Sequence, residues 1–163
     1  MGFNWVDILS IGVVALIGAL QFLRAIRDFS LVFYETIFMV AAVVGAVRFY
    51  PFVQRLTRFP AVASFALVFI IFLFLAFLCA SLLNSFIGFE FGIFSYFFGL
   101  GLAIVCGFAF GHVVLRALSI GSSPTRPDII VSIKRSWMAS QVLYFGAFRE
   151  FLGILRIARY NKI

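Results

Sequence analysis

From Ala61 to Leu83 the chain reads AVASFALVFIIFLFLAFLCASLL, 23 residues without a charge. A helix needs about 20 mostly apolar residues to cross a hydrocarbon core of about 30 Å, so this run has the length of a membrane span. A soluble fold would have to bury such a helix on every side. A chain of 163 residues with 24 phenylalanines has too little interior for that. Composition agrees, with 64% hydrophobic residues, 12% charged residues and a mean hydropathy of +1.17, whereas charged residues make up about a quarter of a globular domain. Lipid must cover much of the surface.

Three further runs approach the same length. The first, Trp5 to Leu23, stops at Arg24, Arg27 and Asp28, and the second, Phe29 to Val47, starts almost at once with Glu35 as its one charge. Their connection is a tight hairpin. Arg48, Pro51, Arg55, Arg58 and Pro60 then predict a loop, because proline inside a helix removes a hydrogen bond. After the span from Ala61, a break at Asn84, Ser85, Gly88 and Glu90 leads into a fourth run, Phe91 to Leu115, which holds His112 and ends at Arg116. The stretch Gly121 to Pro127, GSSPTRP, has turn chemistry and closes the membrane core. The expected fold is all-α and polytopic, with four transmembrane helices at about 5–23, 29–47, 61–83 and 91–115 in a domain covering residues 1–120. No basic leader or small-residue cleavage site marks a signal peptide, so the first run is expected to stay as a helix.

Residues 121–163 form a basic amphipathic tail. Lys134, Arg135, Arg149, Arg156, Arg159 and Lys162 make it too charged to span, and its hydrophobics make it too apolar for a free tail. At helical spacing Ala147, Phe151, Ile154 and Ala158 share one face and Arg149 and Arg156 the other. Such a C-terminal interfacial helix can lie flat with its arginines toward the anionic headgroups of the bilayer, or pack on a partner protein; periodicity does not separate the two. The net charge of +7 points to a membrane surface and not to nucleic acid, since the cations are not set among polar, base-reading side chains. With four spans, eleven of the thirteen Lys and Arg residues fall on one side and Arg24 and Arg27 on the other. The positive-inside rule then places both termini in the cytoplasm of a cell inner (plasma) membrane. The first hairpin either spans fully, putting its two arginines outside, or dips in as a re-entrant element.

Few residues offer chemistry. Gly99, Ala103, Gly107 and Gly111 recur every four positions and form a stripe that lets another backbone approach closely. It serves an oligomer interface, a narrow conduit, or packing against another span, with Ala15, Ala19, Ala41 and Gly45 as counterparts. Glu35 is either a proton or cation site or one half of an ion pair with Arg24 or Arg27, because a carboxylate in lipid needs a partner. His112 is a relay candidate or a packing residue. Asn4 and Asp7 suit a helix start, and Trp5 an interfacial anchor. Cys79 and Cys106 both lie in apolar runs, as small hydrophobes do. Nucleophile elbows, phosphate loops and metal-ligand spacings are missing, so neither an enzyme nor a cofactor is expected.

The opening Asn4-Trp5-Val6-Asp7 and the later Arg24-Ala25-Ile26-Arg27-Asp28 resemble the colicin V production (CvpA) family of membrane proteins. That family shows Asn-x-x-Asp near the start of its first span, a basic-Gly turn, and an acidic residue opening the second. Here Ala25 replaces the glycine, and Asp28 or Glu35 serves as the acid. Around the last span the family's glycines are kept at Gly99 and Gly107, while its Asp-Arg pair is absent from Ser95-Tyr96-Phe97-Phe98. Trp137-Met138-Ala139-Ser140 is similar to the family's Trp-x-x-Ser. The resemblance implies a four-span inner-membrane protein tied to peptide-toxin production or export and to envelope transport, acting as an accessory or scaffold subunit. The alternatives are a small channel or proton-coupled transporter using Glu35, and a dedicated subunit of a larger complex docking a partner through the tail. Expected partners are the bilayer and a second copy or another membrane protein.

Overall fold

The computed structural model describes residues 4–122 and 126–144. These form α1 (Trp5–Arg27), α2 (Phe29–Thr57), α3 (Ala61–Phe86), α4 (Phe94–Ser122), α5 (Pro127–Arg135) and α6 (Trp137–Tyr144). The first four are long and apolar enough to cross a membrane. The chain is therefore an all-α, multi-pass membrane protein. At 1.5 Å per residue α1 is about 35 Å long and α2 about 43 Å, so neither half of the first hairpin is too short to span.

Asp28 alone separates α1 from α2. Its carboxylate accepts a hydrogen bond from the Leu31 amide (3.0 Å) and so caps α2, while its own N–H continues the last turn of α1 to the Arg24 carbonyl. The same carboxylate accepts from Asn84 Nδ2 (3.1 Å), and Ser30 bonds both Asp28 and Asn84. This ties the hairpin to the end of α3. Nearby, Phe89 packs edge-on against Phe29, Phe33, Tyr34 and Phe91, and the Tyr34 hydroxyl donates to the Ile87 carbonyl (3.1 Å). Aromatic edges thus close the connection between α3 and α4, where Gly92 adopts a positive φ of 56°.

The predicted loop after Val47 is mostly helix. α2 runs through Pro51 to Thr57, leaving only Arg58, Phe59 and Pro60 outside regular structure. Proline deletes one amide donor, but Val47, Tyr50 and Val53 keep an apolar stripe on the core, and Tyr50 packs edge-on against Phe65. Packing outweighs the lost bond. Arg58 ends the helix at φ 57°, in the left-handed conformation common at helix C-termini. Other boundaries move as well: α1 continues to Arg27, α3 continues through Asn84 and Ser85 to Phe86, and α4 starts three residues after Phe91 and runs seven past Leu115, so Gly121 and Ser122 are still helical.

α1 and α4 run antiparallel, as do α2 and α3. One core cluster joins Met39, Val43 and Ala46 of α2 to Phe65, Val68 and Phe69 of α3 and to Cys106, Ala109 and Val113 of α4. A second joins Val6 of α1 and Leu115 of α4 to Ile133, Ala139 and Val142 of the tail. The first part of the tail therefore belongs to the packed body instead of lying apart from it.

Candidate functional site

The small-residue stripe of α4 is spent inside the molecule. Gly99, Ala103, Gly107 and Gly111 are all buried. A Cβ on Gly107 would fall 2.6 Å from the Val14 carbonyl oxygen, one on Gly99 3.0 Å from Ala25 Cβ, and one on Gly18 3.4 Å from the Ala103 carbonyl. Two backbones meet here, as small residues permit in membranes. An oligomer interface along this stripe is thereby replaced by packing on α1, and the counterparts differ from those expected. α1 presents Val14, Gly18, Gln21 and Ala25, while Ala15 and Ala19 face outward, Ala41 is exposed and Gly45 packs on Phe72 of α3.

Glu35 lies six residues into α2, about 9 Å along its axis, and is 4% exposed. Its Oε1 receives Arg24 Nη2 at 2.6 Å and its Oε2 receives Gln21 Nε2 at 3.4 Å. Gln21 Oε1 in turn accepts from Arg24 Nη1 (3.2 Å), and Gln21 Nε2 also reaches Cys106 Sγ (3.5 Å). A carboxylate that lipid would penalise is thus paired with a cation and amide-bonded, with residues from α1, α2 and α4 meeting around it. Arg24 is 46% exposed and keeps one side toward the membrane boundary. Of the two partners weighed for Glu35, the geometry selects Arg24. Arg27 instead lines a separate cavity of about 370 Å³ with Glu90, Ser95 and Tyr96.

His112 does not join this group. It lies six residues beyond Cys106 on α4, about 9 Å further along the helix, and its Nδ1 hydrogen-bonds the Val142 carbonyl of α6 at 3.2 Å. Among the described residues no cluster of His, Cys, Asp or Glu could hold a metal ion.

The feature missed in the sequence is at the other end of α1. Asp7 is buried and holds its own helix start through the Asn4 amide (Oδ2, 3.0 Å), as the spacing suggested. Its Oδ1 also accepts from Ser136 Oγ (2.6 Å) and the Met138 amide (3.0 Å). Ser136 Oγ accepts from the Ala139 amide (2.9 Å), the bond of an N-cap serine, so one carboxylate faces the N-termini of two helices. Asn4 Nδ2 donates to the Ser132 carbonyl of α5 (2.9 Å). α6 then runs beside α1, with Val142 reaching the level of Val14 and Gly111. Only long-range pairing reveals this clamp, since Asp7 and Ser136 are 129 residues apart. On its surface, Lys134, Arg135 and Trp137 are exposed. Arg149, Arg156, Arg159 and Lys162, with the apolar face of Ala147, Phe151, Ile154 and Ala158, lie outside the described residues.

Comparisons with protein-family profiles, curated proteins and solved structures find no match for this chain.

Proposed function

We propose that this protein is a non-enzymatic inner-membrane subunit of the colicin V production type, an accessory or scaffold component of envelope transport or toxin export, with both termini cytoplasmic. The observation that carries the reading is the junction of Asn4 and Asp7 with Ser136 and Met138. The stretch that carries the Asn-x-x-Asp resemblance is bonded to Ser136, which directly precedes the Trp-x-x-Ser stretch, and to the backbone amide of Met138 within it. The basic turn and the acidic residue of the second span meet likewise, as Arg24 and Glu35. A scaffold needs a surface held firmly against the membrane, and the clamp holds α5 so that Lys134 and Arg135 face outward on the end of the bundle richest in cations.

A photoreactive residue at Val131 or Trp137, both exposed, tests this. Crosslinks to one membrane or cytoplasmic partner, lost when Lys134→Glu and Arg135→Glu are combined in a chain that still folds, support the scaffold reading. Crosslinks unchanged by charge reversal, or confined to the chain itself, refute it.

A proton-coupled path through Glu35 is the second reading, favoured by the burial of that carboxylate among Gln21 and Cys106. Against it, Arg24 occupies one oxygen of that carboxylate, and His112 stands about two turns away. Proton flux in liposomes that falls with Glu35→Gln would establish this reading in place of the first.

A further inference from the structure

A cavity of about 570 Å³ runs between α2 and α4, lined by Val40, Val43, Val44, Val47, Ile104 and Val105 and ending at Arg48 and His112. Its volume is within the range of sites that hold small-molecule ligands, about 300–1,000 Å³. α2 and α4 run parallel here, so the valine wall extends about 12 Å from Val40 to Arg48 and as far from Ile104 to His112. The groove opens on the lipid-facing side, where Val40, Val44, Ile104 and Val105 are exposed.

Depth gives the groove a polarity. Arg48 is nineteen residues from the start of α2 at Phe29, about 29 Å along its axis, and the hydrocarbon core is about 30 Å thick. Its guanidinium therefore stands at the headgroup level of the end where Arg55, Arg58, Lys134 and Arg135 also lie. Arg48 is exposed where it lines the end of this apolar groove, so its guanidinium offers charged donors to an anionic acceptor at the membrane surface.

We propose that this groove is a binding site for an anionic phospholipid, one acyl chain lying along the valines and Ile104 and the phosphate held by Arg48. Basic pockets between helices at the cytoplasmic surface hold such headgroups. A zwitterionic lipid offers the same chains without net charge, and a second copy of the chain would present no phosphate.

The test reconstitutes the full chain in phosphatidylcholine vesicles containing a trace of either phosphatidylglycerol or phosphatidylcholine with the same diazirine-bearing acyl chain. Labelled peptides are mapped by mass spectrometry. The expected result is an excess of labelling by phosphatidylglycerol at residues 40–48 and 104–112. Arg48→Gln lowers that excess about fivefold, the equivalent of roughly 1 kcal/mol for one cation at an anionic surface, and Arg48→Lys keeps most of it. Val44→Trp, which fills the groove from an exposed position, removes labelling by both probes. Equal labelling by the two lipids, an excess that survives Arg48→Gln, or crosslinking of these peptides to a second copy overturns the proposal.

Discussion

Two carboxylates decide how this chain tolerates charge in a membrane, and they do so differently. Glu35 is buried while its partner Arg24 is half-exposed, so the two halves of the pair are not equivalent. Without Arg24 the carboxylate stays enclosed and uncompensated; without Glu35 the guanidinium can turn outward to headgroups. Arg24→Ala should therefore cost about 3 kcal/mol, Glu35→Ala less, and the double variant should recover much of the Arg24→Ala loss. Thermal unfolding in mild detergent measures all three. Asp7→Ala removes acceptors for Asn4, Ser136 and Met138 together. The amides of residues 136–140 should then exchange hydrogen roughly 30-fold faster, about 2 kcal/mol, while those in the middle of α3 stay unchanged. Glu35 was legible as a special residue because a lone carboxylate in an apolar run has few explanations. The second role of Asp7 was not legible, because a cap needs only a neighbour three residues on, and nothing local announces a partner from the other end of the chain.

At the scale of helices, backbone proximity sets the tolerances. A methyl group at Gly107 would strike the Val14 carbonyl, a backbone atom that cannot rotate aside, whereas one at Gly101 meets nothing within 4 Å. Gly107→Ala should destabilise by about 1–3 kcal/mol through overpacking. Gly101→Ala, in the same helix, should be neutral or stabilise by up to about 1 kcal/mol. Chemical denaturation in detergent or bicelles distinguishes the two substitutions. The existence of a close-packed stripe followed from its four-residue spacing, but its partner did not. Four apolar helices offer several faces of similar composition, and α1 meets the stripe through Val14, Gly18 and Ala25 instead of Ala15 and Ala19. The helical course of residues 48–57 was missed for a related reason. Proline and arginine signal a break locally, and the contacts of Tyr50 and Val53 that overrule it are made with other helices.

For the whole molecule, the tail end of the bundle gathers Arg48, Arg55, Arg58, Arg116, Arg126, Lys134 and Arg135, and the hairpin end has Arg24 and Arg27. In a chain with Cys79 and Cys106 changed to alanine, Glu90→Cys should react with a membrane-impermeant maleimide on intact cells. Arg58→Cys should react only after permeabilisation, and the reverse pattern would invert the proposed orientation. Class and span number were legible from hydropathy, because lipid imposes length and apolarity on every crossing. The union of tail and bundle was not, since the Asp7–Ser136 bond and the cluster that holds Val6 with Ile133, Ala139 and Val142 join residues far apart in the chain. That union has a temporal side. Asp7 leaves the ribosome 129 residues ahead of Ser136, a wait of roughly 6–26 s at common rates of synthesis. During that interval the first helix carries a carboxylate bonded at Oδ2 to the Asn4 amide but without its two distant partners at Oδ1. Until Ser136 and Met138 emerge, Oδ1 of Asp7 lacks both of the donors that hold it in the finished fold, so the clamp closes only after all four long helices have been made.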